Sequence, residues 1–469
     1  MPGRVPSVPK AFAAVLAVMA FAASGNAVEG AARLQPCAGT EYTAAVAAPA
    51  AKQPGPDRLT IVLTGDAGFN PKGAAVAAEG FRDRDKTLVS FTDSLSGVAR
   101  DVDGDLAFVN LETVITDRND LVPDSKGQTS PYNFKSHPLA LKTLIDMGFN
   151  LFSLANNHSM DYGANGAEET LYHLAVAAAE RPLAYAGIGA TFEEATRPGC
   201  LEFGDSKIGF AATGIITGQR PEHRAGEDTP GQAQYRNRAD FELVVNRLAG
   251  LDADYRILSI HYGLEGRVVP DKRQLDDWRD FAAKQKGIDL ILGHHPHVAQ
   301  GVELVGNSLI FYGLGNFMHP GTAEMTRFGI CRDYGLMAKV HLARLDGDWR
   351  VAAIEAIPLT GTHVRPVRFT PQDSARRIYA LNYLGAQLGD GATSQGVRFT
   401  PRQDGTGLYC APGAEAMGGK LAALCAGWQP APAIPRQLGR QLASACADKP
   451  FYQSKRRRNS GASWGFGQF

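Results

Sequence analysis

Short apolar runs alternate with amphipathic stretches between residues 59 and 314. Six of the apolar runs predict buried strands, at 59–65, 105–111, 149–154, 255–260, 288–292 and 309–314. Apolar residues at helical spacing predict helices at 138–147, 167–179 and 274–286. Strands that alternate with helices indicate an α/β core with βαβ crossovers.

A second pattern, of strands joined by tight turns, appears in the later part of the chain. Turns at 204–205, 306–307 and 346–347 predict antiparallel strands at 207–213, 302–305, 335–344 and 349–357. We therefore expect two sheets packed together, with helices on the outside. The pattern weakens from about residue 370, which predicts a loop-rich C-terminal extension over 370–469.

The N-terminus is typical of an exported protein. Two basic residues, Arg4 and Lys10, precede an uncharged apolar run at 11–23, and small residues follow at Gly25 and Ala27. This order predicts a signal peptide over 1–27, with an uncleaved anchor as the alternative. Residues 28–56 are rich in alanine, proline and glycine and predict a linker. We expect a periplasmic or cell-envelope protein that is soluble after cleavage, with its main domain at 57–369.

The composition narrows the function classes. The chain has 469 residues, of which 44% are hydrophobic, enough to build a core. It carries 48 basic and 48 acidic residues, and a net charge of zero disfavours a protein that coats nucleic acid. Six cysteines in an exported chain allow three disulfides. Three of them fall in the last 60 residues, where we expect at least one disulfide.

Five polar segments directly follow predicted strands, at the sheet edge where ligands bind in α/β proteins. Each segment has an ordinary structural interpretation as a turn, cap or buried histidine, but the five together indicate a functional site. We expect a sixth segment, residues 313–317, to lie next to these five. The candidate residues, in chain order, are Asp66, Asn110, Glu112, Asn156, Asn157, His158, Asp161, His261, Glu265, His294, His295, His297 and Asn316.

Carboxylate, amide and imidazole side chains in one place favour a divalent metal such as manganese, zinc or iron. The predicted ligands are Asp66, Glu112, Asn157, His261, His295 and His297. Two ions would fit if Glu112 bridges them, and they would activate a metal-bound water. His158 would be the proton donor and Asp161 would orient it. In an extended segment His295 and His297 share a face, so we expect His294 to point away.

The segments resemble those of the CapA/PgsA-type family of capsule and poly-γ-glutamate biosynthesis. The resemblance rests on 65–66, 110–113, 155–163, 261–265, 293–300 and 313–317, in family order, and on Phe134 with Pro138. It covers roughly residues 58–365. It implies a fold similar to calcineurin-like metallophosphoesterases, a four-layer α/β/β/α sandwich. Those enzymes have Asp-x-His in their first motif, whereas this chain has Gly68 in place of the histidine. We therefore expect either one ion or two of unequal affinity.

The resemblance implies a role in capsule, poly-γ-glutamate or envelope polymer biosynthesis. Our leading hypothesis is a metal-dependent hydrolase that uses metal-bound water on a phosphoester or related bond. One alternative is a non-enzymatic factor for polymer binding or export. Another is a γ-glutamyl amide hydrolase or transferase that also depends on metal. The implied partners are an anionic polymer or its precursor and a membrane synthase or export complex. We expect no nucleic-acid partner.

Overall fold

A computed structural model describes residues 34–37, 57–216, 220–283, 287–322 and 325–448. The predicted signal peptide lies outside these residues. The described helices are α1 (Phe91–Leu95), α2 (Pro138–Asp146), α3 (Gly163–Glu180), α4 (Phe192–Ala195), α5 (Arg238–Gly250), α6 (Lys272–Ala283), α7 (Pro371–Gly385), α8 (Gly419–Cys425) and α9 (Arg436–Ala445). Within these ranges, no helix is both long enough and apolar enough to cross a membrane.

Most of the strands belong to two large mixed sheets. The strands are β1 (Leu34–Pro36), β2 (Arg58–Ala67), β3 (Phe81–Arg82), β4 (Leu88–Val89), β5 (Leu106–Leu111), β6 (Val114–Ile115), β7 (Lys135–Ser136), β8 (Leu151–Ser153), β9 (Ala184–Ala186), β10 (Ile188–Gly189), β11 (Gly199–Phe203), β12 (Ser206–Gly214), β13 (Gly231–Gln232), β14 (Tyr255–His261), β15 (Leu290–His294), β16 (Val302–Val305), β17 (Ser308–Phe311), β18 (Asn316–Met318), β19 (Gly335–Leu345), β20 (Asp348–Thr360), β21 (Val367–Arg368), β22 (Ser394–Gly396), β23 (Thr400–Pro401) and β24 (Gly407–Cys410).

The first sheet has the strand order β23-β24-β20-β19-β2-β5-β8-β9, and the second has β1-β11-β12-β14-β15-β17-β16-β22. Strands β2, β5, β8 and β9 run parallel in the first sheet. Strands β12, β14, β15 and β17 run parallel in the second. The predicted hairpins are also present, as β11 with β12, β16 with β17, and β19 with β20.

The two sheets pack face to face, and helices cover their outer faces. Along β2, Leu59, Ile61 and Leu63 point into the core between the sheets, while Val62 points to the outer face. Helices α1, α2 and α3 cover that outer face, and α5 and α6 cover the outer face of the second sheet. Because both faces of each sheet are buried, the central strands are almost continuously apolar. The predicted four-layer α/β/β/α sandwich is confirmed.

The C-terminal stretch is closely integrated with the sandwich. Strand β22 pairs with β16 at the edge of the second sheet, and β24 pairs with β20 in the first. Helix α7 contributes Ile378 and Leu381 to the core between the sheets. The apolar residues of α7 and α9 recur at helical spacing in the sequence, whereas the strands β22, β23 and β24 are too short to show a period.

The described residues form three disulfides, two of which join distant parts of the chain. Cys410 and Cys425 form one within the C-terminal stretch, as expected, and Cys331–Cys446 ties α9 to the main domain. The third, Cys37–Cys200, holds β1 against β11. Residues 34–37 of the predicted linker therefore belong to the sandwich. Three residues are too few to show a strand period in the sequence.

Candidate metal centre

The predicted site residues meet at the carboxyl ends of the parallel strands. Asp66 lies near the end of β2, and Glu112 directly follows β5. His261 and His294 are the last residues of β14 and β15 in the opposite sheet. Parallel strands place their carboxyl ends at one edge, and here the two sheets bring these edges together. The site therefore takes its side chains from both sheets.

Two sets of candidate ligands share one carboxylate. Asp66, Glu112 and His297 offer ligand atoms that all lie within 4.8 Å of one another, and so do Glu112, His261 and His295. Glu112 Oε2 is 3.8 Å from His297 Nδ1, while its Oε1 is 3.5 Å from His261 Nε2. Each oxygen of Glu112 thus faces one set, in the arrangement expected of a bridging ligand.

Asn157, the sixth predicted ligand, lies beside the second set. Its Oδ1 is 2.6 Å from His261 Nε2. All six predicted ligands are therefore brought together. Their side chains are largely buried, so they are shielded from competing water.

The residues present fit a divalent metal. Among the described residues, neither carboxylate oxygen of buried Glu112 has a hydrogen-bond partner, and nor does Nδ1 of His295. Buried polar atoms nearly always have a partner, so these atoms are arranged for a ligand. Oxygen and imidazole donors without thiolate suit manganese, iron or catalytic zinc.

The electrostatics of the site show the same demand for positive charge. Burial and the nearby Asp66 carboxylate raise the pKa of Glu112 well above its usual range. Burial opposes protonation of His297, but Glu112 and Asp66 raise its pKa to about 10. Burial alone would raise the pKa of Asp66, but contacts with His294 and His297 hold it well below its ordinary value. The buried carboxylates of Asp66 and Glu112 thus favour positive charge beside them, which a divalent cation would supply.

The loop after β15 differs from the extended segment that the sequence predicts. His295 and His297 adopt left-handed backbone angles, with φ of 93° and 58°. These angles turn both side chains into the site. His294 remains the last residue of β15, with Nδ1 3.4 Å from Asp66 Oδ1 and its ring stacked 5.3 Å from Phe108. The expectation that His294 points away is wrong, because strand alternation ends at His294 and does not continue through the loop.

Three asparagines support the ligands. Asn110 Nδ2 donates to Asp66 Oδ1 at 2.8 Å, and Asn316 Oδ1 lies 2.9 Å from His297 Nδ1. Asn156 Nδ2 donates to the carbonyl of Leu111 at 2.7 Å, which fixes the segment before Asn157. Such partners orient ligands and tune their basicity.

Glu265 contributes to the site through its charge. Its side chain is exposed at the rim and lies outside both ligand sets. Its negative charge favours the protonated forms of His295 and His297.

His158 and Asp161 form the predicted pair next to the ligand sets. His158 Nδ1 and Asp161 Oδ2 are 2.8 Å apart, and His158 Nε2 is 3.8 Å from Glu112 Oε1. The ring of Phe134 lies 4.5 Å from the His158 ring and covers it. Burial lowers the pKa of His158 well below its usual range, and the positive charge of Lys126 is the next largest cause of this shift. The imidazole is thus held with one nitrogen on Asp161 and the other toward the shared carboxylate.

Lys126 and His319 are site residues that the sequence analysis did not name. Lys126 is buried and forms an ion pair with Asp161, and its Nζ lies 3.2 Å from His158 Nδ1. It comes from the loop after β6, which carries no strand or motif signal. His319 follows β18 and faces Glu112. It lies two residues beyond the 313–317 segment, and that proximity was the available signal.

Replacing Lys126 with methionine is expected to lower the free energy of unfolding by about 3 to 5 kcal/mol, because it leaves the buried Asp161 carboxylate without its cation. Chemical denaturation of the purified protein measures the change. Lys72→Met is the matched control. Lys72 is exposed and donates a hydrogen bond to Ser130, in the same loop as Lys126. Equal stability of the two variants would contradict this role of Lys126.

The fold and site define an α/β sandwich protein with a candidate two-metal centre between its sheets. Residues 60–320 match the family described as bacterial capsule synthesis protein PGA_cap. The chain belongs to this family, which confirms the expected relationship to CapA-type proteins.

Curated relatives agree with this assignment. The chain is 32% identical over 199 residues to the PGA biosynthesis protein CapA of Bacillus subtilis, covering 42% of this chain and 50% of that protein. It is 28% identical over 249 residues to the capsule biosynthesis protein CapA of Bacillus anthracis, covering 51% and 54%. A polyglutamine synthesis accessory protein of Mycobacterium tuberculosis, whose name is qualified as probable, is 28% identical over 227 residues, covering 45% and 55%. The chain thus spans about half the length of these relatives.

Solved structures similar to the chain include the calcineurin-like phosphoesterase YfkN from Bacillus subtilis. It aligns with a TM-score of 0.38 and 15% identity, covering 69% of this chain and 96% of that one. The NAD nucleotidase NadN of Haemophilus influenzae aligns with a TM-score of 0.35 and 12% identity, covering 69% and 55%.

Proposed function

We propose that the protein is an exported, metal-dependent hydrolase of capsule or envelope polymer biosynthesis. Its substrate would be a phosphoester or related bond in an anionic polymer or its precursor. The observation that carries this proposal is the pair of ligand sets that share Glu112, with buried His158 beside them. Three disulfides support export, since such bonds persist in oxidising compartments.

Divalent cations in the two sets would supply an activated water and neutralise charge that develops on the phosphoryl oxygens. The protein's own residues do the rest. Asp161 holds the His158 ring through Nδ1, so that Nε2 faces the space above Glu112. A phosphoryl anion in that space would favour the doubly protonated form of the ring. The Nε2 proton of that form can pass to the leaving oxygen, so that a phosphodiester and water give a phosphomonoester and an alcohol. Phe134 limits the access of bulk water to this imidazole.

Replacing His158 with alanine is expected to lower turnover by about 100- to 10,000-fold, the usual contribution of a general acid. Bound metal should stay the same, because His158 belongs to neither ligand set. The measurement combines elemental analysis with hydrolysis of an aryl phosphodiester and monoester in added Mn²⁺ or Zn²⁺. His341→Ala is the control, since His341 pairs with Glu355 outside the site and its loss should change neither value.

Two results would overturn the hydrolase proposal. One is wild-type protein that binds metal but hydrolyses neither ester. The other is His158→Ala protein with full turnover. The first result would favour a non-enzymatic factor that binds or exports the polymer. The affinity of the wild-type protein for poly-γ-glutamate would then be measured. Cleavage of γ-glutamyl amide bonds in place of esters would instead assign the same residues to a γ-glutamyl hydrolase or transferase.

A further inference from the structure

His319 is a buried histidine that packs against Phe134. Its side chain is 0% exposed. Neither ring nitrogen has a hydrogen-bond partner among the residues that the structure describes. Its backbone is fixed, since its N–H donates to the Thr362 carbonyl at 2.7 Å. A histidine buried only for packing normally satisfies at least one ring nitrogen, so the His319 ring is free to bind a ligand.

The His319 ring lies on the side of the first ligand set. Its Nε2 is 3.7 Å from Glu112 Oε2, the oxygen that also faces His297. The rings of His319 and His297 are 6.1 Å apart. His319 and His297 thus both lie on the Oε2 side of Glu112, and His297 forms the first ligand set there with Asp66.

Gly68 explains why the His319 ring can occupy this position. A Cβ added to Gly68 would lie 3.3 Å from His319 Nε2 and 3.5 Å from the Glu112 carbonyl oxygen. The space beside residue 68, where the sequence comparison expects a histidine, is therefore taken by His319. One imidazole is present at this place, but it comes from the end of β18.

We propose that His319 is the fourth ligand of the cation held by Asp66, Glu112 and His297. This inference rests on the metal centre of the proposed function. It gives the site two sets of four donors, because Glu112, Asn157, His261 and His295 form the other. The loss of a histidine at position 68 then leaves neither set short, and two ions bind.

The test measures metal directly. Binding of Mn²⁺ and Zn²⁺ to wild type, His319→Ala and His319→Gln is followed by titration calorimetry and elemental analysis. Co²⁺ absorption reports the ligand environment separately. All proteins carry His173→Ala, which removes a surface group of Asp117, Glu169 and His173 that could add to the count. His341→Ala serves as the matched histidine control, and circular dichroism confirms folding.

We expect the His319 variants to lose more than about 100-fold in affinity for one of two equivalents, because residues that merely orient a ligand are worth about 10- to 100-fold. The other equivalent should bind as in wild type. Adding Gly68→His to His319→Ala should restore the lost equivalent. Folded His319→Gln that binds both equivalents with wild-type affinity would overturn the inference, and so would equal weakening of both.

The proposed function fails in a different way. Wild type that binds two equivalents but hydrolyses no ester would refute the hydrolase and leave the role of His319 supported. Wild type that binds no divalent cation would refute both.

Discussion

Replacing Glu112 with glutamine is expected to weaken metal binding at both ligand sets by more than about 100-fold and to abolish hydrolysis. Glu112 is the residue common to both sets, and each of its oxygens faces one of them. A neutral amide offers one weak oxygen donor, so it cannot serve both cations. The loss should exceed the roughly 10- to 100-fold effect of removing a residue that only orients a ligand. Elemental analysis and calorimetry with Mn²⁺ or Zn²⁺ measure it.

The stability of the metal-free protein separates this effect from misfolding. Glu112 is buried beside Asp66, and that burial and repulsion raise its pKa. The glutamine variant should therefore be at least as stable as wild type when both are metal-free. Glu303→Gln is the control, since Glu303 is equally buried but accepts hydrogen bonds from Arg279 and Tyr312 outside the site. It should keep both metals and lose stability. Retained metal in Glu112→Gln would refute the shared ligand.

Replacing Gly65 with alanine is expected to lower the free energy of unfolding by more than about 4 kcal/mol and to leave little soluble protein. A Cβ at Gly65 would overlap the carbonyl oxygen of Gly315, and it would lie 2.7 Å from the carbonyl carbon. That carbonyl accepts the Asp66 N–H at 2.9 Å, so neither backbone can move without disturbing the candidate ligand. The cost exceeds ordinary overpacking because a backbone must shift.

Gly250→Ala is the matched control for Gly65→Ala. Gly250 ends α5, and nothing lies within 4 Å of an added Cβ. Its stability should be equal to wild type or slightly higher. Soluble expression and thermal unfolding compare the two variants. If Gly65→Ala unfolded at the same temperature as Gly250→Ala, this prediction would be wrong, and β2 and the 313–316 segment would be able to separate freely.

The sequence predicts the strands of this fold well because most central strands are buried on both faces. Continuous apolar runs such as the one in β2 are typical of such strands, and the polar residue after each run marks the sheet edge. For this reason the sequence alone identifies Asp66, Glu112 and His261 as neighbours. The short strands β1 and β22 have no such signal, and they join the sheets through pairing with distant strands.

The rest of the site depends on loop geometry that no local pattern encodes. Lys126 reaches Asp161 from a loop in which it has a left-handed backbone, with φ of 49°. The side chain of His319 is placed by tertiary packing against Phe134, at a ring distance of 5.0 Å. The orientation of His294 follows from where β15 stops, and strand ends are the least certain feature of a sequence pattern.

The origin of the ligands from two sheets links metal supply to the lifetime of the protein. A cation held by Asp66 from one sheet and His297 from the other would act as a removable cross-link at the open edge of the sandwich. A ligand that binds only the folded chain, at a free concentration of about 1,000 times its Kd, adds about 4 kcal/mol to the free energy of unfolding. Proteases would then degrade chains that have acquired no metal faster than chains that hold it. The carboxylates and imidazoles of the candidate metal centre would thus also determine how long each copy of the protein survives.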